Sequence, residues 1–284
     1  MGGPVVRGVN RRCRELVDTF VRIVKESQAQ RVIQLGDFFD NPRQPASVVD
    51  FVIESLLPLG VEWHIMAGNH DISSFSAPSA VAPLRHVKNF YVHEEIEQLG
   101  SDFVLVPYTS LGVSASLAKM PVADCTLMHY GLSSHTSSFD YASLSEIEKL
   151  SEGSRTTLIC GHEHHASTYA FETRHSILGS MSDLNFGDIH AGTKLHGIVE
   201  ERTHGPALFY KPHHYGPSFR SIDTAYTLRL LLSRIGDEDF SLYVRTDGTL
   251  APAIKRLTDI GLITDFVVQD AATEEKAEEA VAEA

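Results

Sequence analysis

Short, mostly apolar runs recur along the first part of the chain, and most of them stop at a glycine. The runs at 32–35, 65–67, 126–128 and 158–160 are rich in Val, Ile, Leu and Met. Runs of this length, bounded by glycine, are typical of buried strands. In an open α/β sheet, the residues just beyond the carboxyl ends of the strands line a common crevice. The polar residues that follow these runs are therefore expected to meet.

Segments between these runs show helical spacing of apolar residues. Residues 11–29 place Leu16, Phe20 and Val24 on one face, and a second helix is expected to open with Pro45 in its first turn. This alternation of strand, helix and strand with short loops favours a parallel sheet covered on both faces. Later segments look like further strands with fewer helices between them. Two packed sheets flanked by helices fit this shift.

The pattern breaks near residues 211–217, where we place a domain boundary. Residues 1–216 form the expected main domain, and residues 217–270 read as a small α/β unit of two helices and two strands. Residues 271–284 contain five Glu and one Lys, and we expect a solvated, frayed acidic tail there.

Four polar motifs stand at the ends of the apolar runs. Asp37 ends a buried strand, where an unpaired carboxylate would be costly and metal coordination would make it tolerable. The alternative for Asp37 is a helix or turn cap. Together the motifs supply the mixed oxygen and nitrogen ligands that suit a pair of divalent metal ions. The motifs are residues 36–40 (Gly-Asp-Phe-Phe-Asp), 68–71 (Gly-Asn-His-Asp), 128–131 (Met-His-Tyr-Gly) and 161–164 (Gly-His-Glu-His).

This series of motifs resembles the calcineurin-like metallophosphoesterases, and within them the SbcD-type DNA repair nucleases and their bacteriophage equivalents. The finer resemblance depends on residues 36–42, which end in Asn-Pro before a helix, and on residues 177–180 (Ile-Leu-Gly-Ser). It covers about residues 1–200. It implies a four-layer αββα sandwich, and the C-terminal α/β appendage would be a reduced form of the family's capping domain.

The resemblance also implies a role for each site residue. Asp37 would bridge both ions, and His164 would bind the first. Asn69, His129 and His162 would complete the coordination of the second ion. His70 would protonate or stabilise the leaving oxygen, while Asp40 holds its imidazole in orientation. Capping of the loop before the second helix is the alternative for Asp40. The expected metal ligands are Asp37, Asn69, His129, His162 and His164.

One motif of the family is absent from this sequence. The family opens with Asp-X-His at the end of its first strand, whereas residues 1–10 read Met-Gly-Gly-Pro-Val-Val-Arg-Gly-Val-Asn. The first ion would then keep only Asp37 and His164 as protein ligands. We expect that the start was assigned too far downstream, and that upstream codons encode the missing strand. Natural loss is the alternative, and it would impair activity.

Composition and charge indicate which kinds of binding partner the chain is suited to. Hydrophobic residues make up 43% and charged residues 21% of the chain, as in a soluble globular protein. A net charge of −13 argues against a broadly basic surface for nucleic acid. A local basic cluster at the start of the first helix could contact phosphates, or it could be a solvated helix face. The cluster is Arg7, Arg11, Arg12 and Arg14.

The remaining cysteines and histidines suggest no second site. Cys13, Cys125 and Cys160 lack zinc-type spacing, and the latter two are expected to be buried free thiols. The histidines outside the motifs are expected mostly on the surface or in loops. No apolar segment approaches the ~18 residues of a membrane span, so we expect a cytoplasmic protein with no membrane association.

The leading hypothesis is a DNA nuclease subunit that hydrolyses phosphodiesters with two divalent ions, which the resemblance implies to be manganese. The partners implied are DNA, an SbcC-type coiled-coil ATPase and a second copy in a homodimer. Two alternatives stay open. One is a phosphodiesterase or phosphatase acting on a small nucleotide or phosphoprotein. The other is a scaffold subunit that has lost the first metal.

Overall fold

The first helix of the computed structural model begins where the sequence provides a cap. The Asn10 side chain accepts a hydrogen bond from the Cys13 amide at 2.8 Å, which satisfies one of the amides left free at a helix start. Val17 and Val24, two turns apart on one face, are buried. The structure describes residues 8–121, 123–133, 136–143, 145–147, 157–169, 175–182, 194–200, 207–213, 215–222, 224–233, 241–246 and 248–268.

Helices and strands alternate at the start of the chain, whereas strands dominate the described residues between 125 and 221. The helices are α1 (Arg11–Ser27), α2 (Ala46–Leu56), α3 (Gly112–Lys119), α4 (Ala225–Leu232) and α5 (Ala251–Asp259), with 3-10 turns at Leu57–Leu59 and Ala82–His86. The strands are β1 (Arg31–Gln34), β2 (Glu62–Met66), β3 (Phe90–His93), β4 (Glu97–Leu99), β5 (Phe103–Val106), β6 (Cys125–Met128), β7 (Gly131–Ser133), β8 (Tyr141–Ser143), β9 (Thr157–Cys160), β10 (Ser167–Tyr169), β11 (His175–Ile177), β12 (Lys194–Glu200), β13 (Ala207–His213), β14 (Ser218–Ser221), β15 (Leu242–Thr246) and β16 (Asp265–Val268).

The first sheet contains β1, β2 and β3 in that order, and all three strands are parallel. α2 makes the connection from β1 to β2, because parallel neighbours need a crossover segment. Side chains alternate between the two faces of this sheet. Trp63 and Ile65 pack towards α1 and α2, whereas Ile33 and Met66 pack on the opposite face. The parallel arrangement agrees with the strand–helix–strand pattern of the sequence.

The second sheet is mixed rather than wholly parallel. Its order is β10-β11-β9-β6-β5-β4, with parallel strands in the middle and an antiparallel strand at each edge. α3 covers its outer face, where Leu117 packs with Val104 and Met128. Cys125 and Cys160 lie in its central strands as buried free thiols, as the sequence predicted.

Three apolar clusters separate four layers. The first lies between the helices α1 and α2 and the first sheet, the second lies between the two sheets, and the third lies under α3. The predicted αββα sandwich is therefore confirmed. Representative members are Val17, Val52 and Trp63 in the first cluster, Met66, Leu105 and Leu127 in the second, and Val104, Leu117 and Met128 in the third.

The C-terminal part forms a small α/β unit with its own core. β14, β15 and β16 make a parallel sheet, and Val244, Ile254 and Ile263 are buried against it with Leu228 of α4. The predicted α/β appendage is therefore present, but with a third strand, β14, that the sequence pattern did not predict. The boundary at residue 216 stays a prediction, and the predicted acidic tail at 271–284 lies outside the described residues.

Helix α1 joins this appendage to the sandwich. The Glu15 carboxylate accepts hydrogen bonds from the Ser241 hydroxyl at 2.6 Å and the Tyr243 hydroxyl at 2.8 Å. The Arg12 guanidinium lies over the Phe219 ring at 5.3 Å. In the part of the chain that the structure describes, none of the helices is both long and apolar enough to cross a membrane.

Candidate metal centre

The turn after β1 presents Asp37 in an uncommon backbone conformation. Asp37 has φ of 53° and Gly36 has φ of 97°, both in the left-handed region. Non-glycine residues rarely adopt this region unless their surroundings hold them there. A Cβ atom on Gly36 would lie 2.1 Å from Nδ1 of His129, so only glycine fits between the turn and that ring. The turn therefore brings Asp37 and His129 together.

The turn after β2 is built against the first turn. A Cβ atom on Gly68 would lie 2.1 Å from the Asp37 amide nitrogen, which shows how closely the two backbones approach. The amide of His70 donates to Oδ1 of Asp37 at 2.8 Å. This hydrogen bond comes from the main chain, so it fixes the Asp37 carboxylate independently of the imidazole of His70.

Asp71 holds the two turns together, and the sequence reasoning gave it no role. Its fully buried carboxylate accepts hydrogen bonds from the amides of Phe38 at 3.1 Å, Phe39 at 2.9 Å and Gly68 at 2.9 Å. Burial raises the pKa of Asp71 to about 6, although these amides act in the opposite direction. The one signal in the sequence was an acidic residue directly after Asn69 and His70 in the second motif.

His129, at the end of β6, is held in the tautomer that a metal ligand requires. Its Nδ1 donates to the carbonyl of Leu35 at 2.6 Å, which leaves the lone pair of a neutral ring on Nε2. Nε2 faces Oδ1 of Asn69 at 2.9 Å and Oδ1 of Asp37 at 3.3 Å. Three lone pairs that face one another in this way favour a cation between them. His129 is only 1% exposed, so water has little access to its Nε2.

His162 completes the group from the end of β9. It has φ of 72°, and one ring nitrogen lies 3.0 Å from Oδ1 of Asn69. Burial and the neighbouring His129 ring lower the pKa of His162. The ring is therefore neutral near pH 7, which is the form that binds metal ions.

Four of the five predicted ligands converge here. The ligand atoms of Asp37, His129 and His162 lie within 4.8 Å of one another, and Asn69 contacts both rings. Burial raises the pKa of Asp37, but the opposing contributions, which include the hydrogen bond from the His70 amide, leave the pKa below its ordinary value, so the carboxylate is ionised. Two imidazoles, a carboxylate and an amide oxygen suit a borderline divalent ion such as manganese, iron or zinc. The residues present therefore fit a metal ion.

His164 lies outside this group of ligand atoms. Its carbonyl accepts from the Ser180 amide at 3.1 Å, and a Cβ atom on Gly179 would lie 2.9 Å from the same oxygen. The segment after β11 therefore packs against the turn that carries His164. The assignment of His164 to a first ion stays a prediction.

The arrangement of His70 and Asp40 differs from the expected one. Nδ1 of His70 lies 3.1 Å from the main-chain carbonyl of Asp40, whereas we expected the carboxylate of Asp40 to orient the ring. Because a carbonyl only accepts, Nδ1 carries the proton in this contact. His70 is exposed beside the cluster, with its other ring nitrogen free of that contact. The loop backbone at residue 40 therefore orients the ring.

The basic cluster on α1 does not form an open patch. Arg11 pairs with Glu15 at 2.7 Å, Arg12 covers Phe219, and Arg14 donates to the carbonyl of Val9 at 3.1 Å. Arg7 lies outside the described residues. Arg11 fits the predicted solvated helix face, because its side chain is 41% exposed and pairs within α1, whereas Arg12 and Arg14 contact residues outside the helix.

Several histidines that we expected on the surface are buried instead. His64, His93, His175 and His213 are each at most 5% exposed. Their positions inside strands explain the error, because inward-facing positions of a strand are buried whatever the residue. His64 and His93 contact each other through ring nitrogens at 3.0 Å, which partly compensates for their burial.

Aromatic residues border the cluster, and the sequence reasoning did not select them. The edge of the Tyr108 ring meets the His129 ring with 6.4 Å between centroids, and Tyr141 lies 5.5 Å from His162 in a similar geometry. The Tyr108 hydroxyl donates to Asp140 at 2.7 Å. Aromatic residues between motifs carry no distinctive sequence signal, so only the folded chain reveals them.

Comparison with known proteins gives one informative match. A family model described as calcineurin-like phosphoesterase matches residues 10–175, which is more than half of the chain and includes all four motifs. A search of curated proteins gave no match.

Proposed function

Because the chain belongs to the calcineurin-like phosphoesterase family, we propose that this phosphoesterase is a metal-dependent DNA nuclease that works with an SbcC-type ATPase. The family assignment supports metal-dependent phosphoester hydrolysis. The family assignment does not specify DNA, manganese or the ATPase partner. These parts of the proposal depend on the resemblance of particular segments to the SbcD-type nucleases. A homodimer belongs to the same proposal.

The main support for hydrolysis is the convergence of four ligands beside His70, an imidazole that is not one of the ligands. Asp37, Asn69, His129 and His162 would hold the ion, and His70 lies next to them with a hydrogen bond to Asp37 through its amide. Bound divalent ions supply Lewis acidity for the phosphoryl oxygens and a nucleophilic water at neutral pH.

The protein's own residues complete the chemistry around the phosphate. The Asp40 carbonyl keeps the proton on Nδ1 of His70, so a second proton on Nε2 is the one available for transfer. His70 would donate that proton to the leaving oxygen as the P–O bond breaks. His129 and His162 remain neutral ligands, and the carbonyl of Leu35 keeps the His129 ring in place.

Two segments support the SbcD-type assignment. Asn41 accepts from the Arg43 amide at 2.8 Å, and this turn leads from the first motif into α2. Residues 177–180 pack against the turn that carries His164, as shown by the contact of its carbonyl with Ser180. The first segment thus continues directly from the motif that carries Asp37, and the second contacts the turn that carries His162 and His164.

A second candidate is a phosphodiesterase or phosphatase for a small nucleotide or phosphoprotein. It is favoured by the net charge of −13 and by the internal contacts of Arg11, Arg12 and Arg14. DNA-binding proteins derive much of their affinity from cations that neutralise phosphates. A small substrate needs fewer such cations.

The test compares linear DNA with bis(p-nitrophenyl) phosphate in manganese, with and without an SbcC-type ATPase. We expect the wild-type chain to degrade DNA only slowly, because the first ion keeps just Asp37 and His164 as predicted protein ligands, and EDTA or Asp37→Ala to abolish this. Asp50→Ala, which changes an exposed carboxylate on α2, should act like wild type. Hydrolysis of the small diester alone, even with the ATPase present, would favour the second candidate. A manganese-loaded protein inactive on both would contradict both.

A further inference from the structure

Three aromatic rings form an exposed surface beside the metal centre. Phe75, Tyr108 and Phe139 pack with ring centroids 5.7 to 6.3 Å apart, and we call this group the aromatic platform. Phe75 is 51% exposed and Phe139 is 45% exposed. Large aromatic faces normally gain stability from burial, so two exposed faces in contact suggest a binding surface.

The platform adjoins the metal ligands directly. Tyr108, which packs against both Phe75 and Phe139, also meets the His129 ring, 6.4 Å away between centroids. Phe75 stacks on Tyr108 at 5.8 Å, and it follows His70 by five residues. One ring therefore separates the exposed Phe75 from a metal ligand. A substituent of a phosphodiester bound at the centre could extend onto the platform.

Two of the three rings, those of Tyr108 and Phe139, have contacts that fix their positions in the absence of a ligand. The Tyr108 hydroxyl is fixed by Asp140 at 2.7 Å, and the Phe139 carbonyl accepts from the Val113 amide at 3.0 Å. Gly112 leaves room for Phe139, because a Cβ atom there would lie 3.0 Å from the ring. A pre-positioned surface avoids the entropy cost of ordering side chains on binding.

We propose that the aromatic platform stacks with an unpaired nucleobase adjacent to the phosphate at the metal centre. The inference rests on the proposed hydrolysis of nucleic acid and specifies the substrate further, as a single-stranded or frayed end. Stacking between bases and aromatic side chains is tolerant of sequence, because every base has a flat face.

The chemistry of the platform favours a base over other occupants. Its polar neighbour is the carboxylate of Asp140, which would repel a phosphate but not a neutral ring. Two exposed rings with Leu111 nearby, which is 41% exposed, fall far short of the roughly 800 Å² per partner in a stable protein interface. A duplex keeps its bases paired and stacked, so a base must be unpaired to reach the rings.

The test measures binding of a short single-stranded oligonucleotide by fluorescence anisotropy, with calcium replacing manganese so that binding is separated from cleavage. Stacking is worth about 1–3 kcal/mol per base, so Phe75→Ala and Phe139→Ala should each weaken binding about tenfold. Phe75→Tyr and Phe139→Tyr keep a ring and should retain affinity. Tyr91→Ala removes a ring that is 46% exposed and stacked on His64, and it serves as the matched control.

The same measurement on an abasic oligonucleotide isolates the base. We expect the wild type to bind it about tenfold more weakly, and the alanine variants to lose nothing more. Equal binding of both oligonucleotides by the wild type, or unchanged affinity in both alanine variants, would overturn the proposal that the aromatic platform stacks with a base. Cleavage in manganese is scored separately, so a protein that cuts DNA without using the rings is distinguished from one that does not cut DNA.

Discussion

His70→Ala is expected to lower kcat by about 10²- to 10⁴-fold while the protein still binds metal. The side chain lies beside the ligands without joining them, and its contact with the Asp40 carbonyl leaves Nε2 as the acid. Its main-chain amide, which holds the Asp37 carboxylate, is retained in the variant. Metal stoichiometry and turnover are measured on the same preparation.

The nature of the leaving group makes this prediction specific. A p-nitrophenolate leaving group needs little protonation, so its hydrolysis should fall much less than that of an alkoxide leaving group. His86→Ala, which changes an exposed histidine, is the matched control and should leave both rates unchanged. Loss of metal from His70→Ala would make His70 a ligand, and equal loss with both leaving groups would refute the acid role.

Asp71→Ala is expected to destabilise the protein by at least about 2 kcal/mol and to weaken metal binding. The change leaves the buried amides of Phe38, Phe39 and Gly68 without their acceptor, and each unpaired amide costs about 1–3 kcal/mol. Asp37 precedes Phe38 directly, so loosening of this turn also displaces the Asp37 carboxylate from the other predicted ligands. Denaturant unfolding of the metal-free protein measures the first effect, and metal titration measures the second.

Two further variants serve as comparisons for Asp71→Ala. Asp71→Asn keeps one acceptor oxygen but turns an amide group towards the same donors, so its stability should fall between wild type and Asp71→Ala. Asp50→Ala removes an exposed carboxylate and should unfold like wild type. If Asp71→Ala and Asp50→Ala unfold at the same denaturant concentration, Asp71 does not hold the turns together.

The fold could be predicted from the sequence because its strands end abruptly. The apolar run before Gly36 and the run before Gly68 became β1 and β2, and the polar residues after them met as expected. Glycine at those ends is required by close contacts, with His129 in one case and Asp37 in the other. Glycine at these two positions thus ends an apolar run in the sequence and also permits a close long-range contact in the fold. The sequence pattern was therefore informative about the site.

Other features could not be read from the sequence because they depend on contacts between distant segments. Asp71 acts through amides more than thirty residues away, at Phe38 and Phe39. The orientation of His70 comes from a main-chain carbonyl, which any residue at position 40 supplies. The aromatic platform draws Phe75 and Phe139 from separate loops. None of these contacts has a periodic or motif signature.

The central claim is that Asp37, Asn69, His129 and His162 bind one divalent ion at the ends of their strands. The most direct test is a crystal structure of the manganese-loaded protein with anomalous scattering measured at the manganese edge. We predict a manganese peak at bonding distance from Oδ1 of Asp37, Oδ1 of Asn69, Nε2 of His129 and a ring nitrogen of His162. A manganese-loaded crystal with no peak among these four side chains, or with its peak elsewhere, would contradict the account.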